Sequence, residues 1–93
     1  MVVGLLQLDL MIRGARSLKE KRRAVKSYKD RVRSRFNVSI SEVGDHELYQ
    51  RAAIAVTAVG TDVSYVEGLL QRVVNQIPYT RDLELIDQYI EIL

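Results

Sequence analysis

An α+β sandwich, one antiparallel four-stranded sheet with two helices on a single face, is predicted by three features of this 93-residue sequence. Apolar side chains alternate with a two-residue period in four segments, and in two others they recur as a helical stripe. The order along the chain is strand, helix, strand, strand, helix, strand.

The first strand spans about Val2 to Ile12, with Leu6, Leu8, Leu10 and Ile12 on one side and Leu5, Gln7, Asp9 and Met11 on the other. Arg13, Gly14 and Ala15 break the alternation. Ser17, with Glu20 three residues on, has the spacing of a helix-start capping box. Leu18, Val25, Tyr28, Val32 and Phe36 then form one apolar stripe, so a helix is expected to about Phe36. Val38 and Ile40 alternate with Ser39 and Ser41 in a short strand over residues 37–43, and Gly44-Asp45 marks a turn. Ala52, Ile54, Val56 and Ala58 give a third strand within about Leu48 to Val59. Asp62 caps a second helix whose stripe runs from Val63 to Ile77, stopped by Pro78. Leu83 to Ile92 is the fourth strand, with a bulge expected where Leu85 and Ile86 are adjacent. The order and length predict a single ferredoxin-like βαββαβ domain over residues 1–93, with the first and third strands central.

Composition removes several chemistries. With no cysteine there are no disulfides, thiolate zinc sites or thiol nucleophiles, and one histidine gives no histidine-rich metal site. Ser17 is read as a cap and His46 as a hydrated loop residue, so no catalytic, metal or cofactor-binding residue is assigned and a non-enzyme is expected. Arg13-Gly14-Ala15-Arg16 is a basic turn, too short a pattern for an anion-binding loop. No apolar run approaches the roughly 20 residues of a membrane span and no signal segment is evident, so a cytoplasmic protein without a membrane partner is expected.

Charge is distributed unevenly. The segment 13–36 holds eleven basic residues against Glu20 and Asp30, a charge of +9, and the remainder carries −7, although the formal net charge is +2. On a helical wheel Lys19, Arg22, Arg23, Lys26 and Arg33 fall on the solvent side. At about 1.5 Å per residue this ridge is roughly 21 Å long, enough to follow several phosphates of RNA. The alternative is an ordinary solvated face, or docking on an acidic protein partner. The central strands lack the exposed aromatic rings on which RNA bases stack, so contact through phosphates is expected. Lys21 points to the side of Leu18, Val25 and Tyr28. The expectation is that its methylenes cover apolar surface while its amine reaches water, with pairing to Asp9 or Glu42 as the alternative.

The open sheet face is expected to hold Leu5, Met11, Ala53, Ala55, Leu85 and Tyr89 among polar residues. Burying about 400 Å² of apolar area there would contribute on the order of 10 kcal/mol before association costs, which makes a homodimer the second functional expectation.

Ser17-Leu18-Lys19-Glu20-Lys21-Arg22, Arg35-Phe36-Asn37-Val38-Ser39 with the residues through Val43, and Tyr49-Gln50-Arg51-Ala52 resemble the YlxP-like family of small uncharacterised bacterial proteins over essentially the whole chain. Tyr49 stands where that family has Trp, a modest change of aromatic size. The resemblance implies a ferredoxin-like fold and supplies no catalytic residues. The family's gene neighbourhood, near translation-initiation and ribosome-maturation genes, implies an RNA or ribosomal component as partner.

Overall fold

In the computed structural model, which describes residues 1–77 and 82–93, the elements follow the predicted order. They are β1 (Val2–Ile12), α1 (Leu18–Arg35), β2 (Ser39–Gly44), β3 (Arg51–Gly60), α2 (Val63–Val74) and β4 (Leu83–Ile92). One antiparallel sheet has the order β2-β3-β1-β4, so the first and third strands are central. The ferredoxin-like arrangement follows: each helix crosses over a neighbouring strand and packs on one sheet face.

Alternation decides which face that is. Leu6, Leu8, Leu10 and Ile12 of β1 and Ala52, Ile54, Val56 and Ala58 of β3 are buried under Val25, Tyr28 and Val32 of α1 and Val66, Leu70 and Val73 of α2. The Tyr28 hydroxyl crosses between the helices to donate to the Val73 carbonyl at 3.2 Å. Burial pushes its phenol well above the ordinary tyrosine range. Gly4 lets α2 approach β1, because a Cβ there would stand 2.5 Å from Val66 Cγ1 and 2.9 Å from Leu70 Cδ1.

Three details differ from the sequence reading. Regular helix α2 ends at Val74, before Ile77: the Asn75 amide bonds Gln71 and Val73 carbonyls, and Ile77 stays buried beyond the cap. Pro78 lies outside the described residues. β3 begins at Arg51 and not near Leu48, because Asp45 takes a left-handed φ of 60° and its carbonyl accepts from the Leu48 amide, closing a turn.

The third difference concerns Leu85. β4 is bulged at Ile86, so Leu85 pairs with Leu10 while Asp87 pairs with Asp9. The extra residue reverses the alternation, and Leu85 packs against the core on the helix side, whereas Tyr89 is exposed on the open side. Leu85 is therefore removed from the candidate dimer face. Among the described residues, no helix is long and apolar enough to cross a membrane.

Candidate nucleic-acid interface

The site is built on α1, whose start is fixed by Ser17: its side-chain oxygen accepts from the Glu20 amide at 3.1 Å. From that cap the helix presents Lys19, Arg22, Arg23, Lys26 and Arg33 on its outer side, all exposed. They are not equivalent. Lys26 Nζ lies 2.7 Å from Asp30, Arg33 is 3.9 Å from the same carboxylate, and an Arg33 N–H donates to the Ile40 carbonyl at 3.0 Å. The Lys26 ammonium holds the Asp30 carboxyl below its usual range. Lys19, Arg22 and Arg23 have no carboxylate partner among the described residues. Of these five, the three without a carboxylate partner thus lie in the first half of the helix, and Arg33 belongs partly to the helix–strand contact.

Lys21 does not snorkel. It is fully buried, and its ammonium donates to Glu42 at 2.7 Å and to the carbonyls of Asp45 and Arg51 at 2.8 and 3.2 Å. Three oxygens match its three N–H donors. Sequence periodicity placed it on the apolar side, yet the bulge in β2 beside Glu42 and the left-handed turn at Asp45 bring the oxygens there. Lys21 is thereby withdrawn from the cationic surface and becomes the tie between α1 and the β2–β3 turn.

Beside the ridge lies a feature the sequence reading missed, an open groove of about 470 Å³ between α1 and the turn after β1. Its lining mixes Ile12, Ala15, Ala24 and Ser27 with both signs of charge, Arg13, Arg23 and Arg31 alongside Glu20 and Asp82. Gly14, at a left-handed φ of 80°, turns the chain here. The Gln50 side chain holds the loop by donating to the Ala15 carbonyl at 3.2 Å, while the Arg13 amide bonds the Asp82 carbonyl at 3.0 Å. The Arg13 Nε pairs with Glu84, whose carboxyl is held below its usual range by that hydrogen bond. Arg13 lines the groove and Arg16 does not, and His46 is elsewhere, against the Glu42 carbonyl. Glu20, Ala24, Ser27 and Arg31 at spacings of four, three and four do mark a second helix face in the sequence; the arrival of Asp82 from before β4 has no local signal.

On the open sheet face, Leu5, Met11, Ala53 and Ala55 are partly exposed, with Tyr89 at one edge. The register intersperses them with charge. Asp9 sits opposite Asp87, Met11 lies between Arg51 and Glu84, and Leu5 is flanked by Glu91.

The family described as "Protein of unknown function (DUF503)" matches residues 3–90 of the chain. The "Uncharacterized protein YlxP" of Bacillus subtilis (strain 168) is 37% identical over 83 residues, which cover 89% of this chain and 90% of that protein.

Proposed function

The chain belongs to the DUF503 family, and from that premise and the chemistry of its first helix we propose that it is a non-catalytic, RNA- or ribosome-associated domain that binds phosphates through α1. The observation that carries this reading is the row Lys19, Arg22 and Arg23, exposed, on one side of a capped helix and unmatched by carboxylates among the described residues. Lys26 and Arg33 extend the row. Each neutralised phosphate releases counterions, so such a row adds affinity without reading sequence. Cytoplasmic location is part of this proposal.

Titration of a single-stranded RNA across a salt series tests it. With three to five phosphates engaged, affinity falls about 20- to 100-fold between 50 and 200 mM salt, at a log–log slope near −0.7 per phosphate. Changing Lys19, Arg22 and Arg23 together to Glu abolishes measurable binding while the fold persists, as read by circular dichroism. Affinity that ignores both salt and these substitutions overturns the reading.

A second reading, a protein-interaction module, draws on Leu5, Met11, Ala53, Ala55 and Tyr89 sharing the open sheet face. Its cost is written in the register: a dimer through this face also desolvates Asp9 and Asp87, which carry like charge side by side. That burden favours RNA over self-association. An acidic protein docking on the same ridge would show salt dependence but no affinity for protein-free RNA.

A further inference from the structure

The two helices cover one face of the sheet and leave the other without a layer. Side chains on that open face are distributed unevenly along the strands. At one end the register sets Val3 opposite Val59, with Leu5 two residues on, and the Leu93 amide bonds the Val3 carbonyl at 2.8 Å. Val59 and Leu93 are more than half exposed, and Val3 and Leu5 are half-buried. Farther along, Glu91, Tyr89 and Asp87 of β4 lie in a row beside Leu5, Gln7 and Asp9 of β1. Asp9, Asp87 and Glu91 are exposed and have no cationic partner among the described residues. Glu84 is taken by Arg13, and Arg51, opposite Met11, stands at the far end of the face.

This pattern selects its occupant. A polyanion would meet the unpaired carboxylates. A second copy offers either the same acidic face or the outer side of α1, where Lys19, Arg22, Arg23 and Lys26 bring charge and no apolar side chain to cover Leu5 and Val59. An extended peptide laid on the face would leave its own backbone groups unsatisfied, because those of a sheet are spent within it and project only at its edges. A helix satisfies its backbone internally. Apolar residues of such a helix cover Val3, Leu5 and Val59, while Lys or Arg stems lie along the sheet with their heads at the carboxylates. Tyr89, alternating with Asp87 and Glu91, offers its ring to the same cations. From Val3 to Asp9 the strand runs about 20 Å, the length of about 13 helical residues.

We infer that the open sheet face is the docking surface for a basic amphipathic helix of another protein, with its apolar side chains over Val3, Leu5 and Val59 and its cations toward Asp9, Asp87 and Glu91. The surface lies across the sheet from α1, so it stands or falls independently of phosphate binding there.

An amide NMR titration of the full chain decides this. The probe is a synthetic helical peptide of about 16 residues, with Leu on one face and Lys on the other, compared with the same peptide carrying Glu in place of Lys. The Leu/Lys peptide perturbs Val3, Leu5, Val59, Asp87 and Tyr89, and the Leu/Glu peptide does not. Asp87→Lys weakens the Leu/Lys peptide about tenfold, because repulsion replaces attraction. Glu67→Lys, at an exposed position of α2 and with the same change of net charge, alters its affinity by less than about twofold. Val59→Ser, at an exposed position, weakens it about fivefold by removing apolar contact. Glu91→Lys serves if Asp87→Lys fails to fold. Shifts confined to the helices, no saturation below about 1 mM, or equal losses in Asp87→Lys and Glu67→Lys overturn the assignment. Single-stranded RNA perturbing the same strand residues, or a dimer in sedimentation that Tyr89→Glu breaks, gives the face a different occupant and overturns it as well.

Discussion

Lys21 and Asp30 show how two charged residues on one helix acquire opposite meanings from their surroundings. The Lys21 ammonium is buried against the largely buried Glu42 carboxylate and two carbonyls, so removing it leaves that carboxylate without its cation and two acceptors without their donor. Lys21→Ala is expected to cost about 3–5 kcal/mol, measured by urea unfolding, and Lys21→Met combined with Glu42→Met to recover most of it. A loss below about 1 kcal/mol would return Lys21 to a solvated role. Asp30 instead lies exposed among cations, paired with Lys26 and Arg33, and on the proposed reading it would compete with phosphate for them. Asp30→Asn is expected to raise RNA affinity about fivefold and steepen the salt slope, since one unit charge at 4 Å in water is worth about 1 kcal/mol. Lower affinity in that variant would contradict the ridge. The carboxyls of Asp30 and Glu84 are both held below their ordinary values. Their pairs therefore add their small stability above the unfolded carboxylate range and lose it as pH falls through the depressed folded values.

At the level of elements, α1 and α2 divide the work. α2 is the apolar helix, pressed onto β1 and β3 where Gly4 leaves room for Val66 and Leu70. Both side chains are fully buried and have nowhere to move. Gly4→Ala is expected to destabilise by about 1–3 kcal/mol through overpacking, seen as a lower urea midpoint with unchanged slope. A neutral result would mean that α2 slides on the sheet. α1 buries a narrow stripe of Val25, Tyr28 and Val32, leaving most of its circumference to the ridge and the groove. This narrow seam is tied at one end by Lys21 and at the other by Arg33 on the Ile40 carbonyl. Both ties run to β2, the edge strand, so they fix the exposed helix without drawing on its free cations.

Across the whole molecule, the basic helix and the acidic edge of the sheet occupy different faces. β4 carries Glu84, Asp87 and Glu91 on the open side, next to Asp9 of β1. This polarity directs an anionic strand toward α1 and away from the sheet. On the proposed reading it also weighs against self-association through the open face. Sedimentation over a concentration series is expected to show a monomer, with Tyr89→Glu leaving the distribution unchanged. A concentration-dependent dimer broken by Tyr89→Glu would make the open face an interface despite its carboxylates.

The elements and the ridge were legible because they depend on local periods: alternation in β1 and β3, the stripe of α1, the Ser17 cap, and a run of cations on one helical face. Family membership likewise agrees with the resemblance carried by residues 17–22, 35–43 and 49–52. Leu85 was misplaced because one bulged residue inverts a strand's parity, and where along adjacent apolar residues it falls is decided by pairing with β1. Lys21 was misread because its partners come from residues 21 to 30 positions away, and the groove was missed because Asp82 joins α1 only after the chain has crossed the sheet. The sequence by itself determined which residues face the core and where positive charge accumulates, since periodicity and composition are local. Only the tertiary structure decided which cations are spent internally, which face Leu85 joins and where a groove opens beside α1, since these depend on chain segments meeting across the fold.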